Sequence, residues 1–437
     1  MSNEILDARK ITPAQAGILA LCFFSMMLDG FDVLIIAFTA PDIAQEMAIS
    51  SQQLGLVFSA ALLGMALGAM LLSSIADLYG RRLVISAMLI LSGLATCAVF
   101  HVESALQLIA LRFIAGLGLG TMVAVLPGLG GEFSPAANRS LITSILVAGM
   151  SIGTVVGGII SAWAIPLIGW RALYLYAGAV IIFTGVLFFI VVPESIQFLL
   201  SRKKDNALAA INRTLRYIGH PSLERLPNDS AATTLESASV KALLTPTRRT
   251  VTLLAWGMFF MAFAAQYFVN IWLPKLLVES GVASSLAIQS VVILNTGAII
   301  GTVGIGLLSR WWSLQRLLVL AFSTATLLLL VLAGIMLHAA DSAIGLIWLI
   351  AFVIGFTLHG GFGNLYTVAL ILYPAHIRIT GLGWCVGLGR GGAIISPALA
   401  GLLLGAGLAA SQVVVVFAIV TLLAMLLTRK VPVKEMP

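Results

Sequence analysis

The sequence predicts an all-α membrane protein of twelve transmembrane helices in two six-helix halves, with both termini cytoplasmic. Three observations predict it. Of 437 residues, 60% are hydrophobic and 9% charged, whereas soluble domains run near ~45–50% apolar and ~25% charged. A chain this apolar cannot cover a water-facing surface with polar groups. That excludes a soluble enzyme, a nucleic-acid module and a disordered chain. Apolar runs of about 20 residues, the length that crosses the hydrocarbon, recur along the chain. One long polar stretch divides those runs into two equal sets.

In order, the first six runs are 15–40, 53–75, 83–101, 105–127, 141–163 and 172–192. The second six are 251–274, 287–308, 316–337, 343–371, 380–405 and 411–428. They are too long for membrane strands and do not alternate with period two. The domains are therefore 1–192, a central cytoplasmic loop 193–250, and 251–437. The loop carries nine basic residues, from Arg202 to Arg249, against five acids. Within it, 205–218 predicts a short surface helix, and 227–239 (PNDSAATTLESAS) reads as a flexible linker.

Orientation follows from the basic residues, which favour cytoplasmic loops. With the N-terminus inside, all 24 Lys and Arg fall on the cytoplasmic side except four: Arg171 and Lys275 outside, and Arg112 and Arg390 within spans. The first apolar run carries Asp29 and Asp32, which a cleavable signal peptide would not tolerate. Cys22, Cys97 and Cys385 lie inside apolar runs without metal-ligand spacing and read as plain thiols. The halves also echo each other: Gly64 and Gly68 align with Gly297 and Gly301. Two related six-helix halves are a repeat plan of secondary transporters.

Several motifs resemble those of the major facilitator superfamily. They are Gly68, Asp77, Gly80, Arg81 and Arg82 between spans two and three, Arg112 with Gly116 in span four, and Pro193-Glu194-Ser195 after span six. Asp29-Gly30-Phe31-Asp32 and the Gly383-Trp384 to Gly391 segment are similar to motifs of its aromatic acid:proton symporters. The resemblance implies import of an aromatic carboxylate with protons across a bacterial inner membrane. It implies no cofactor beyond the coupling proton, and no metal. There are departures. Arg310 stands where the repeat would place an acid, and Thr154 stands where many antiporters carry proline.

The intramembrane charges carry the chemistry, because an ionisable side chain at the bilayer centre costs about 2.5–3.5 kcal/mol on insertion scales. Asp32 and Arg112 lie at matching depths, ~12 and ~10 Å from the outer face at 1.5 Å per residue, so they can pair. Asp29 lies one turn deeper on nearly the same side. Asp29, Asp32 and Arg112 are therefore expected to couple transport to protons, against the plainer reading of a structural ion pair. Arg390 lies ~15 Å from the inner face, where a guanidinium can grip a carboxylate through two hydrogen bonds. The plainer reading pairs it with an intramembrane acid.

His359, Asn270, Gln266, Tyr267, Asn295, Asn364 and Tyr366 are further substrate-contact candidates. A lone His is as readily a packing residue, and Trp272, near a span end, suits an interfacial anchor. Gly68, Asp77, Gly80, Arg81, Arg82, Glu132 and Arg139 are expected to form a gate at the inner face. The expected partners are a small organic acid, protons and lipid, with no nucleic acid and one chain as the transport unit. An exporter or antiporter of the same fold competes with the importer. A non-transporting sensor is disfavoured by the short tails. No nucleotide loop or nucleophile constellation suggests an enzyme.

Overall fold

The computed structural model describes residues 11–73, 75–135, 139–202, 207–224, 243–246, 248–338, 343–373 and 378–431. Every regular element among them is helical. The first part of the chain holds α1 (Pro13–Glu46), α2 (Ser51–Leu67), α3 (Ile75–Tyr79), α4 (Arg81–Ala98), α5 (Ala105–Glu132) and α6 (Arg139–Val191). Two shorter helices follow, α7 (Ile196–Arg202) and α8 (Ala207–Tyr217). Next come α9 (Arg249–Glu279), α10 (Ser284–Leu308), α11 (Leu314–His338) and α12 (Ile344–Ile354). The last are α13 (Gly360–Leu372), α14 (Arg378–Gly405) and α15 (Ala410–Lys430).

Eleven helical segments among the described residues are long and apolar enough to cross a membrane. The longest, Ile142–Val191, covers 50 residues. It is broken at Gly169, whose φ of 77° and ψ of 161° are not helical, so two helices meet there. Only glycine adopts that backbone without strain.

The chain forms two compact units. Unit 1 comprises Met1–Val33, Ala60–Gly157 and Ile168–Thr233; unit 2 comprises Leu34–Ser59, Gly158–Leu167 and Thr234–Pro437. Each has helix pairs in close backbone contact through glycine. In unit 1, a Cβ on Gly64 of α2 would stand 2.2 Å from the Phe113 carbonyl oxygen of α5. In unit 2, one on Gly297 of α10 would stand 2.2 Å from the Phe352 carbonyl oxygen of α12. Small residues at such crossings are how membrane helices gain packing without a hydrophobic driving force. A π turn lies at each contact, Gly68–Leu72 after α2 and Gly355–His359 between α12 and α13. Such turns shift the register of the helix beyond them, and the second one carries His359.

α8 is amphipathic. Ile211 and Leu215, with Ile218 just beyond, join the buried cluster that also holds Ile18, Phe133 and Ile196. Arg213 and Arg216 face outward, and Thr12 Oγ1 donates to the Ile218 carbonyl at 2.7 Å. The helix predicted for 205–218 is thus part of unit 1.

Trp272 does not face outward as an interfacial anchor, the role its position in the sequence suggests. It is fully buried in unit 2. Its Nε1 donates to the Pro397 carbonyl at 3.2 Å, and its ring meets Phe58 edge-on at 5.2 Å. Burial here comes from partner helices rather than from depth along its own helix.

Candidate functional site

In unit 1, α1 is pressed against α6 at the Asp29–Asp32 segment. A Cβ on Gly30 would lie 1.8 Å from the Met150 carbonyl oxygen, and one on Gly153 would lie 1.9 Å from that of Met27. Thr154 Oγ1 donates to the Gly30 carbonyl at 2.9 Å. The glycine between the two acids is therefore required by the backbone of the neighbouring helix. This contact fixes the turn of α1 that carries both carboxylates.

Asp32 and Arg112 are fully buried and form the pair expected from their depths. Arg112 Nη1 donates to Asp32 Oδ1 at 3.0 Å, and Nη2 donates to the Asp32 main-chain carbonyl at 2.6 Å. Thr96 of α4 donates its hydroxyl to the same Oδ1 at 3.1 Å. Asp32 Oδ2 and Arg112 Nε have no hydrogen-bond partner. Asp29 is 1% exposed, and its Oδ2 is also without a partner.

In unit 2, α9, α10, α13 and α14 assemble a second site. Asn270 Nδ2 lies 2.8 Å from His359 Nε2, and Asn295 donates to Asn270 Oδ1 at 2.9 Å, so three of the polar candidates form one chain. His359 Nδ1 and Gln266 Oε1 have no partner. Asn364 instead donates to the main-chain carbonyls of Thr302 and Gly360 at 3.1 and 2.8 Å, a packing arrangement. Phe263 stacks on Tyr267 with centroids 6.2 Å apart and meets Phe362 edge-on at 4.6 Å. Phe362 in turn meets Tyr366 edge-on at 5.9 Å.

Arg390 stands near enough to Tyr267 and Tyr366 for its charge to act on both hydroxyls, and Gly389 beside it packs against Phe263. The Arg390 guanidinium is half-buried and makes no hydrogen bond or ion pair among the described residues. Gly383 and Gly387 lie on the same helical face, seven and three residues earlier. Both are exposed, and a Cβ there would meet nothing within 4 Å. A cation with open space along its helix and aromatic rings nearby can take an anion with an aromatic body.

At the end of unit 1 that carries the polar motif, the N-terminus of α4 is capped by Glu194. Its Oε1 accepts from the main-chain N–H groups of Arg81 at 2.9 Å, Arg82 at 3.3 Å and Ser195 at 2.9 Å. Gly80 has φ 105°, and a Cβ there would stand 2.3 Å from Glu194 Oε2, so backbone and space both demand glycine. Ser195 Oγ donates to Glu132 Oε2, and Arg81 Nη2 lies 3.6 Å from Glu132 Oε1. Arg82 donates to the Phe189 carbonyl at 2.8 Å and covers the Phe189 ring at 4.5 Å. Gly68 packs on α5, where Thr121 Oγ1 donates to its carbonyl at 3.2 Å. The side chains of Asp77 and Arg139 lie outside the described residues.

Two contributors escaped the sequence reading. Glu194 was visible in the Pro-Glu-Ser motif but not as the ligand of a helix N-terminus. Thr96 lies in an apolar run, and its depth relative to Asp32 was its only signal.

The fold and its buried charges define a multi-pass membrane carrier, with no group of metal-ligating residues among those described. The chain belongs to the Major Facilitator Superfamily, whose family pattern matches residues 22–384. It is therefore a transporter rather than an enzyme, of the multi-pass kind found in bacterial inner membranes. It resembles the aromatic-acid branch of that superfamily. It is 31% identical to the 4-hydroxybenzoate transporter PcaK of Pseudomonas aeruginosa over 93% of this chain and 90% of the relative. It is 30% identical to the gallate transporter of Pseudomonas putida over 93% and 89% of the two chains. In fold, it is similar to a bacterial homolog of the human lysosomal transporter Spinster in an inward-facing, unoccupied conformation. The TM-score is 0.73 at 16% identity, covering 95% of this chain and 97% of that one.

Proposed function

We propose that this chain imports an aromatic carboxylate by proton symport, using alternating access of two six-helix halves, 1–192 and 251–437. In this reading, the helices that meet at Gly169 are separate spans, giving twelve, and both termini are cytoplasmic. The observation that carries it is the unpartnered guanidinium of Arg390 near Tyr267 and Tyr366, which belong to an aromatic group with Phe263 and Phe362. A half-buried cation without a counter-ion is unfavourable at rest. A carboxylate relieves that cost through charge-assisted hydrogen bonds, while its ring stacks on the aromatic side chains. The relatives named for 4-hydroxybenzoate and gallate transport support the same substrate class.

Asp29, Asp32 and Arg112 form the proton-coupling element. Asn270, Asn295, His359, Gln266, Tyr267 and Tyr366 shape the substrate site, with Asn364 bracing α13 behind it. Gly68, Asp77, Gly80, Arg81, Arg82, Glu132 and Arg139 gate the inner face, together with Glu194. One chain is the transport unit, and the proton is the only coupling species required.

The test is uptake into proteoliposomes under an imposed inward proton gradient, with labelled aromatic and aliphatic carboxylates, with and without an uncoupler. Uncoupler-sensitive accumulation of an aromatic acid is the expected result. Proton-driven loss of preloaded compound, with no accumulation of any carboxylate, would overturn it in favour of an exporter.

A further inference from the structure

We infer that Asp29, rather than Asp32, is the seat of the coupling proton, and that Thr96 is a positioning residue holding Asp32 as a fixed carboxylate. The inference rests on the proton-symport reading above and concerns the division of labour between its two acids.

The two carboxylates of α1 stand one turn apart in opposite surroundings. Asp32 is paired as an anion through one oxygen: Arg112 Nη1 and the Thr96 hydroxyl both donate to Oδ1, and Arg112 Nη2 locks the main-chain carbonyl of the same residue, while Oδ2 has no partner. Those donors favour the charged form of a carboxyl group. Asp29 has none of this. It makes no ion pair and accepts no side-chain hydrogen bond on either oxygen among the described residues, and the charge that acts on it is that of Asp32.

The charged and titratable groups around the two acids can be counted by helix. α1 contributes Asp29 and Asp32, α5 contributes Arg112, and α6 contributes Tyr174, which interacts with Arg112. α4 contributes the uncharged Thr96 hydroxyl. With both acids ionised, the Asp29–Asp32–Arg112 trio carries a net charge of −1 in a site closed to water. One proton from outside, bound at Asp29, brings it to zero without breaking the Arg112 pair. Burying an uncompensated charge is costly, so the neutral trio is the state suited to crossing between conformations. The close contact of Gly30 with Met150 and Thr154 of α6 keeps the two carboxyl groups on one turn of helix while this occurs.

Two measurements test the assignment. In proteoliposomes supplied with labelled 4-hydroxybenzoate and an inward proton gradient, Asp29→Asn is expected to equilibrate substrate without moving protons. The accumulation ratio then falls to unity, and a lumenal pH dye no longer reports acidification on uptake. Asp32→Asn strands Arg112 and is expected to abolish equilibration as well. Thr96→Val lowers the accumulation ratio several-fold, and Thr96→Ser, which keeps the donor, restores it. Infrared spectroscopy of the purified protein provides a readout independent of transport. The carbonyl stretch of a buried protonated carboxyl should be present in the wild type and missing from Asp29→Asn.

Continued proton-driven accumulation by Asp29→Asn, or survival of the infrared band in it, would overturn the assignment, as would wild-type behaviour of Thr96→Val. Failure of the wild type to move any carboxylate would instead sink the proposed function, and the infrared band would still decide which acid holds the proton.

Discussion

The two arginines inside the spans are held in opposite ways. Arg112 in unit 1 is fully buried and bound to Asp32 through side chain and main chain. Arg390 in unit 2 is half-buried near Tyr267 and Tyr366 and makes no hydrogen bond or ion pair among the described residues. The first has its counter-ion built into the fold, whereas the second has its donors left over. A buried charge with a built-in counter-ion belongs to the architecture and its internal switching. An unsatisfied one beside open space belongs to what enters from outside. The same contrast extends to the backbone: Gly30 is wedged against a neighbouring helix, while Gly387, one turn from Arg390, faces open space.

The contrast breaks most sharply by truncation. Arg112→Ala leaves Asp32 buried without its partner, a loss of about 3–5 kcal/mol for a buried pair. The expected result is a poorly folded protein, read as a large drop in Tm in detergent. Arg390→Ala removes no partner and should leave Tm nearly unchanged while uptake is lost. Equal effects of the two substitutions on Tm would erase the distinction.

Arg390→Lys sharpens the second half of the comparison. An ammonium keeps the charge but not the paired donors, and hydrogen bonds to charged groups are worth about 1.5–3 kcal/mol. KM for an aromatic carboxylate should rise at least about tenfold, since ~1.4 kcal/mol is a factor of ten, with folding unaffected. A normal KM would mean that the guanidinium acts only as a point charge.

The glycines separate packing from access. Gly30→Ala forces a methyl into the Met150 carbonyl oxygen and should destabilise the protein by about 1–3 kcal/mol, as overpacking does. Gly387→Ala meets nothing within 4 Å. It should leave Tm alone and show its effect in uptake kinetics.

The legibility of the sequence divides along the same line. Asp32 and Arg112 were readable as a pair because charges in apolar runs are few and depth is set by counting residues. Arg390 is readable as an intramembrane cation for the same reason, but whether an acid pairs with it is not, and none does among the described residues. What counting could not supply was the face of each helix. Asn364 carries the same amide as Asn270 but turns to the main chain of Thr302 and Gly360, while Asn270 joins His359 and Asn295. Trp272 was misplaced because its burial depends on Phe58 and Pro397, far away in sequence. Thr96 was missed because an isolated threonine in an apolar run ordinarily satisfies itself on its own helix.

The smallest expected effect sharpens the comparison of the units at their polar ends. In unit 1 the start of α4 is a set of N–H groups, and a carboxylate, Glu194, receives those of Arg81 and Arg82. In unit 2 the helix end is a set of carbonyls, and an amide answers them: Gln315 Nε2 donates to Thr428, Arg429 and Val431 at 3.1, 3.0 and 2.7 Å. Each cap matches the sign of the helix terminus it meets, negative charge at the N-terminus and a donor at the C-terminus. Glu194→Gln removes only the charge and should cost about 0.3–1 kcal/mol, seen as a small fall in Tm. Gln315→Glu replaces a donor with a negative charge against carbonyls and should cost somewhat more than Glu194→Gln. The two substitutions run in opposite chemical directions, so a common loss of stability is what sign matching requires. A stabilising Gln315→Glu would mean that the flanking Arg429 and Lys430, rather than the helix end, decide the electrostatics there.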